Sequence, residues 1–119
     1  MKTKGQYCGS KRSIELLCED NDDCEAFLNA LDHKERRKLD VLFEYMGMQG
    51  RITNSEKFKK LEGSDGIFEF KSFQIRLLCF FHGQRVIICR CLKKKRDKHH
   101  AADVTYAERC RQQFIGEHK

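Results

Sequence analysis

The chain of 119 residues contains no proline, so its eight glycines must supply most of the turns and helix ends. It also lacks a long hydrophobic run. The longest, Leu77 to Phe81, is five residues, against the roughly 20 that a membrane-spanning helix needs. Residues 1–20 hold no apolar stretch of the kind a secretory signal carries, so a cytoplasmic protein with no membrane partner is expected. There is no C-x-x-C pair among the seven cysteines, and their number is odd. That argues against a disulfide framework and for reduced, buried thiols. Cys89-x-Cys91 would place two thiols on one face of a strand, with Cys79 beside them, but a tetrahedral zinc site wants a second pair, so no metal is expected. Gly63-Ser64-Asp65-Gly66 is too short for a phosphate-binding P-loop and reads as a turn. No G-x-S-x-G, H-E-x-x-H or EF-hand pattern occurs, and no internal repeat.

What is present is charge. Lys and Arg number 24 against 18 Asp and Glu, a formal net charge of +6, and charged residues make up 35% of the chain. The distribution is uneven. Six acids and no base lie between Glu15 and Glu25, whereas ten Lys/Arg and four Asp/Glu lie from Gln84 onward. The C-terminal third therefore holds the equivalent of the whole excess, which favours a polyanionic partner. Nine Phe and a 39% apolar fraction argue against disorder. At 14.1 kDa one domain over 1–119 is expected.

Ser13–Glu19, apolar at Ile14, Leu16 and Leu17, reads as a first strand. Residues 1–11 read as a flexible extension. Asn21–Asp23 offers N-caps for a short helix over 23–31, with Cys24, Phe27, Leu28 and Leu31 at helical spacing. A second helix over 33–46 carries Leu39, Leu42, Phe43 and Met46 on one stripe, with Asp32 as its cap and Gly47 and Gly50 at its end. Three β-runs follow: Ile67 to Lys71, Phe73 to Phe81 and Val86 to Leu92, the last two joined at His82–Arg85. Short connections make them an antiparallel meander. A closing helix over 102–115 has Val104, Ala107, Cys110 and Phe114 as a docking stripe. The order β-α-α-β-β-β-α predicts an α+β fold, a small antiparallel sheet with its helices packed on one face.

Alternation along the strands sorts candidate chemistry. Phe73, Ile75, Leu77, Cys79 and Phe81 share one side. Glu69, Lys71, Gln74 and Arg76 share the other, and Arg90 joins them only if the register allows. Cations gathered beside a carboxylate suit phosphodiester chemistry, since guanidinium and ammonium groups stabilise developing phosphate charge. A solvated, ion-paired sheet face is the plain alternative. The run Lys93-Lys94-Lys95-Arg96, followed by His99 and His100, is a second anionic footprint or simply a solvated tract. Lys57, Lys59 and Lys60 line the rim of the same face or end a solvated amphipathic helix. Cys89 beside Arg90 invites a thiolate reading but has no identifiable histidine partner.

Taken in order, several segments resemble one family. Lys60-Leu61-Glu62-Gly63-Ser64-Asp65-Gly66-Ile67-Phe68-Glu69-Phe70-Lys71 resembles the K-L-x-G-x-G-L-x-E-L-R segment of the RelE/HigB toxin superfamily, and more closely its phage-derived Gp49-like branch. Arg76 in Gln74-Ile75-Arg76-Leu77 sits like the family's Y-R-I arginine. Val86-Ile87-Ile88 and Leu92-Lys93-Lys94 resemble its last strand and F-x-K-K ending. His100 to Ala107 resembles the opening of its closing helix, and Phe27-Leu28-Asn29-Ala30-Leu31 its F-L-x-x-L pattern. The resemblance spans about residues 14–115 and implies a RelE-like fold. It further implies a type II toxin that cuts mRNA in the ribosomal A site, using no metal or cofactor, neutralised by a cognate antitoxin. Carried over by position, the catalytic residues would be Lys71, Arg76, Lys93 and Glu69. Lys57, Lys60, Arg90, Lys94, Lys95 and Arg96 would bind RNA. A non-enzymatic member of the same fold, binding nucleic acid or a protein such as gyrase, is the other implied function. Lys71 stands where the family has arginine, which forfeits the bidentate fork. Cys89-Arg90-Cys91 stands where it often has H-G-F.

Overall fold

A computed structural model describes residues 1–18, 24–94 and 101–118. In chain order the elements are β1 (Lys2–Cys8), β2 (Ser13–Cys18), α1 (Cys24–Asn29), α2 (His33–Gln49), β3 (Phe58–Lys60), β4 (Phe68–Ser72), β5 (Ile75–His82), β6 (Arg85–Lys93) and α3 (Ala101–Glu117). One six-stranded sheet runs in the order β1-β2-β6-β5-β4-β3. Its neighbours are antiparallel except β2 and β6, which are parallel. The α+β class and the β4-β5-β6 meander therefore hold. The all-antiparallel sheet does not, because the chain between β2 and β6 returns β6 in the same direction as β2.

The helices lie on two faces, not one. Leu39, Leu42, Phe43 and Met46 of α2 pack with Cys24 and Leu28 of α1 over Ile14, Leu16, Phe70, Ile75, Leu77, Cys79, Val86 and Ile88. On the other face α3 lays Val104, Ala107, Cys110 and Phe114 over Leu17, Ile67, Leu78, Phe80, Ile87 and Cys89. The reason is the uninterrupted apolar run in β5. Leu77, Leu78, Cys79 and Phe80 are all fully buried, which requires cover on both sides.

The second helix is closed at both ends as its sequence dictates. Asp32 accepts from Glu35 N–H at 2.8 Å while Glu35 accepts from Asp32 N–H at 3.1 Å, a reciprocal capping box. Gly50, at φ 83°, ends it with its N–H on Met46 O. Gly47 does not end it. It lies buried inside the helix, where a Cβ would run into the Tyr7 ring, and its carbonyl accepts from Lys11 N–H at 2.9 Å and Arg12 N–H at 3.0 Å. The β1–β2 loop thus docks directly on helix backbone.

Two strands were not anticipated. Residues 2–8, expected in a flexible extension, form an edge strand paired with β2 from Lys2↔Cys18 to Cys8↔Ser13. It is polar and lacks alternation. Its side-chain ties are ionic or hydrogen-bonded: Thr3 Oγ1 to Glu15 at 2.7 Å, Lys4 Nζ to Glu25 at 2.6 Å and Arg36 Nη2 to Gln6 at 2.9 Å. Lysines and a bulge near Gly5 are common devices on exposed edges. The other is β3, where a helix end had been an option. An Asn54 side-chain turn, accepting from Glu56 N–H at 2.9 Å, redirects the chain. Phe58 then stacks on Phe68 at 5.6 Å and meets Phe70 at 4.8 Å.

Candidate functional site

The site is assembled by register at the end of the sheet that carries the β4–β5 turn. Lys71 pairs with Arg76, Glu69 with Leu78, and Leu78 in turn with Arg90. Between Leu78 and Cys79 the β5–β6 register shifts by one residue, so that Cys79 faces Ile88 and Cys89 is the extra residue. This bulge resets the alternation of β6. With this register Arg90 joins Glu69, Lys71 and Arg76 on the α3 face. The same bulge separates Cys89 from Cys91, which lie in opposite cores.

Three charged residues are buried in the described chain: Glu69, Arg76 and Lys94. All three belong to this cluster. The Arg76 guanidinium donates from Nη1 to Phe73 O at 2.8 Å and Ile75 O at 2.9 Å, clamping the turn it follows. Arg90 Nε donates to Asp103 Oδ1 at 3.2 Å and its guanidinium lies 4.9 Å over the Tyr106 ring. Lys94 Nζ is 4.0 Å from Asp103 Oδ2. Asp103, in the first turn of α3, thus draws two cations to the helix start, where a carboxylate is favoured. It had not been singled out, although an acid in the opening turn of a helix was visible in the sequence.

Placement of the remaining candidates is mixed. Glu69 is fully enclosed, and Arg76 and Lys94 beside it are also buried. Lys93 does not join Lys71 and Arg76. It pairs with Ile75, whose side chain faces the α2 core, and its Nζ is 3.3 Å from Glu35 of α2. Consecutive residues of a strand point to opposite faces, so the Lys93–Lys94 pair is split across the sheet. Lys57 is exposed, and its carbonyl accepts from Lys71 N–H at 2.8 Å. Lys60 is exposed opposite Phe68, while Lys59 stands opposite Glu69. Lys95, Arg96, His99 and His100, like Asn21–Asp23, lie outside the described residues. His118 is remote from the cluster, stacked on Phe114 at 4.0 Å beside His82.

The cysteines are free, five buried and two exposed. A hydrogen bond with Cys110 and burial push the Cys89 thiol up, and burial does the same to Cys79. Cys89 is therefore a closed thiol, not a nucleophile activated by Arg90. Among the described residues no three His, Cys, Asp or Glu side chains gather to hold a metal ion. Among the described residues no helix is long and apolar enough to cross a membrane.

The family model of the phage-derived protein Gp49-like family matches residues 26–112. This span runs from within α1 through most of α3 and includes every charged residue of the cluster. The chain belongs to the Gp49-like family. No curated protein matches it. As a Gp49-like protein it carries the cluster on its meander and closing helix, whereas β1 and β2 lie outside the matched span.

Proposed function

We propose that this Gp49-like protein is the toxin of a type II toxin–antitoxin pair, an endoribonuclease that cuts mRNA on the ribosome. The observation that carries the reading is the gathering of Lys71, Arg76, Arg90 and Lys94 at one sheet end, in a family related to RelE-like toxins. The 2′-hydroxyl of the substrate loses its proton to solvent and attacks the adjacent phosphate, the P–O5′ bond breaks, and the leaving 5′-oxygen takes up a proton, giving a 2′,3′-cyclic phosphate and a 5′-hydroxyl end. Lys71 and Arg76 stabilise the charge that develops on the phosphoryl oxygens, and Arg90 and Lys94 hold flanking phosphates. Glu69 supplies an enclosed counter-charge beside Lys71 and Arg76. Lys93, on the other side of the turn, extends the cationic surface toward α2. The antitoxin neutralises the protein by covering this end of the sheet.

Inducible expression with mapping of mRNA 5′ ends tests the reading. Wild type should arrest growth and leave new ends at A-site codons. K71A, at a half-buried position, should abolish both while the protein still accumulates. Intact mRNA in cells arrested by wild type would overturn it.

A second reading has its own support. Arg76 binds main-chain carbonyls, and Arg90 and Lys94 face Asp103, so these cations also hold the fold together. That favours a non-enzymatic binder of nucleic acid or of a protein such as gyrase. Growth arrest with DNA damage and no mRNA cleavage would select it.

A further inference from the structure

The β4–β5 turn is built against its own chemistry. Ser72 pairs with Ile75, leaving Phe73 and Gln74 as a two-residue loop. Phe73 sits at φ 56°, the one positive φ of a non-glycine among the described residues. A bulky L-residue there is strained by about 1–2 kcal/mol. Its ring is not compensated by burial, being 55% exposed. The strain is held in place from below: Arg76 binds Phe73 O, and Lys94 N–H donates to Gln74 O at 2.7 Å. Both clamps are members of the cationic cluster.

The ring also stands between two sets of cations. Lys71 and Arg76 flank it in sequence on the α3 side. On the α2 side Lys34 Nζ lies 5.8 Å from the ring centroid, and Lys93 follows at the end of β6. An exposed aromatic ring with cations on either side resembles the arrangement by which proteins hold single-stranded nucleic acid, cations on the backbone and an aromatic under a base.

We infer that Phe73 is a stacking platform for a nucleobase of single-stranded RNA, next to the phosphate held by Lys71 and Arg76. This rests on the RNA reading above. Strain at an exposed aromatic is retained because the turn presents the ring outward from the sheet end, where a base can lie flat on it.

The chain has no tryptophan, so F73W introduces a single reporter at the tip. Its emission should be quenched by a short oligoadenylate at low salt. The same ribose-phosphate backbone lacking bases should not quench it. In anisotropy titrations F73A and F73L should bind the oligoadenylate about 5- to 150-fold more weakly than wild type, with F73W and F73Y close to wild type. Thermal melts should show F73A at least as stable as wild type, which separates lost stacking from lost fold. Unchanged affinity in F73A, with wild type binding RNA, overturns the inference and leaves the RNA reading standing. Failure of wild type to bind RNA, alone or on programmed ribosomes, overturns both. Emission that responds to a protein partner and not to RNA also overturns the inference.

Discussion

The sheet has two hairpins of the same build at its opposite ends. In one, His82-Gly83-Gln84-Arg85 links β5 to β6; in the other, Ser72-Phe73-Gln74-Ile75 links β4 to β5. Each has a two-residue loop with a positive φ at its first member, 61° for Gly83 and 56° for Phe73. Glycine adopts that conformation without steric cost, and phenylalanine does not. Each hairpin is followed by an arginine, and the two are used differently. Arg85 forms a paired contact with the Glu15 carboxylate, 2.9 Å from Nε and 2.8 Å from Nη2. Arg76 spends Nη1 on the carbonyls of its own turn. One hairpin is therefore a relaxed connection pinned to the neighbouring strand. The other is a strained connection whose conformation is enforced by a buried cation. Strain of this kind marks the end of the molecule where an activity is to be sought.

The comparison can be broken most sharply at Arg76. R76A deletes the donor to two carbonyls and leaves the buried cluster without its central guanidinium. It should cost about 2–4 kcal/mol in urea denaturation, and a loss below about 0.5 kcal/mol would show that the clamp does not hold the turn. Exchanging the loop residues comes next. G83F meets no atom within 4 Å of its Cβ, so its cost of about 1–2 kcal/mol is backbone strain alone. F73G should gain about 0.5–1 kcal/mol by relieving the same strain. Effects of opposite sign, smaller for F73G because glycine adds entropy to the unfolded chain, would confirm the kinship of the two turns, and a destabilised F73G would refute it.

The Arg85 side sharpens the contrast through pH. The hydrogen bond from Arg85, helped by Thr3 and Ser13 against an opposing cost of burial, lowers the Glu15 carboxyl from 4.5 to about 2. A depressed carboxyl stabilises the fold fully above its unfolded value and loses that contribution as pH falls toward the folded one. E15Q should therefore be less stable than wild type by about 1 kcal/mol at neutral pH, the pair being partly solvated. The difference should close between pH 4.5 and about 2. A difference that persists at pH 2 would rule out the ion pair as its source. The smallest effect belongs to Lys93, whose side chain is half exposed beside Glu35. K93A should change stability by less than about 0.5 kcal/mol in the same denaturation experiment.

Much of this was legible in the residues themselves. The stripe Val104, Ala107, Cys110, Phe114, the capping box at Asp32 and the three β-runs follow from periodicity and turn chemistry that act over a few residues. The gathering of Glu69, Lys71 and Arg76 on one side follows from alternation and short turns. What escaped was nonlocal or irregular. The edge strand β1 has no apolar period because its stability comes from backbone pairing and scattered polar contacts. Motif position put Lys93 beside Arg76, and the strand pleat carried it to the opposite face; Arg90 does reach the cluster, but only through a bulge that no local pattern announces. The cover on both faces could have been read from Leu77 to Phe80, where an unbroken apolar run already demanded it.

By itself, then, the sequence determined the three helices, the first core strand and the three-stranded meander, which residues can lie in a core, and that cations gather near the meander's end. These depend on side-chain volume, periodicity and charge, all properties of neighbours along the chain. Only the tertiary structure decided which cations share that surface, that Glu69 and Arg76 are buried within it, and that Phe73 is turned out of it at positive φ. Those outcomes depend on register, a single bulge and the seating of α3, and each is set by contacts between residues that the chain brings together only on folding.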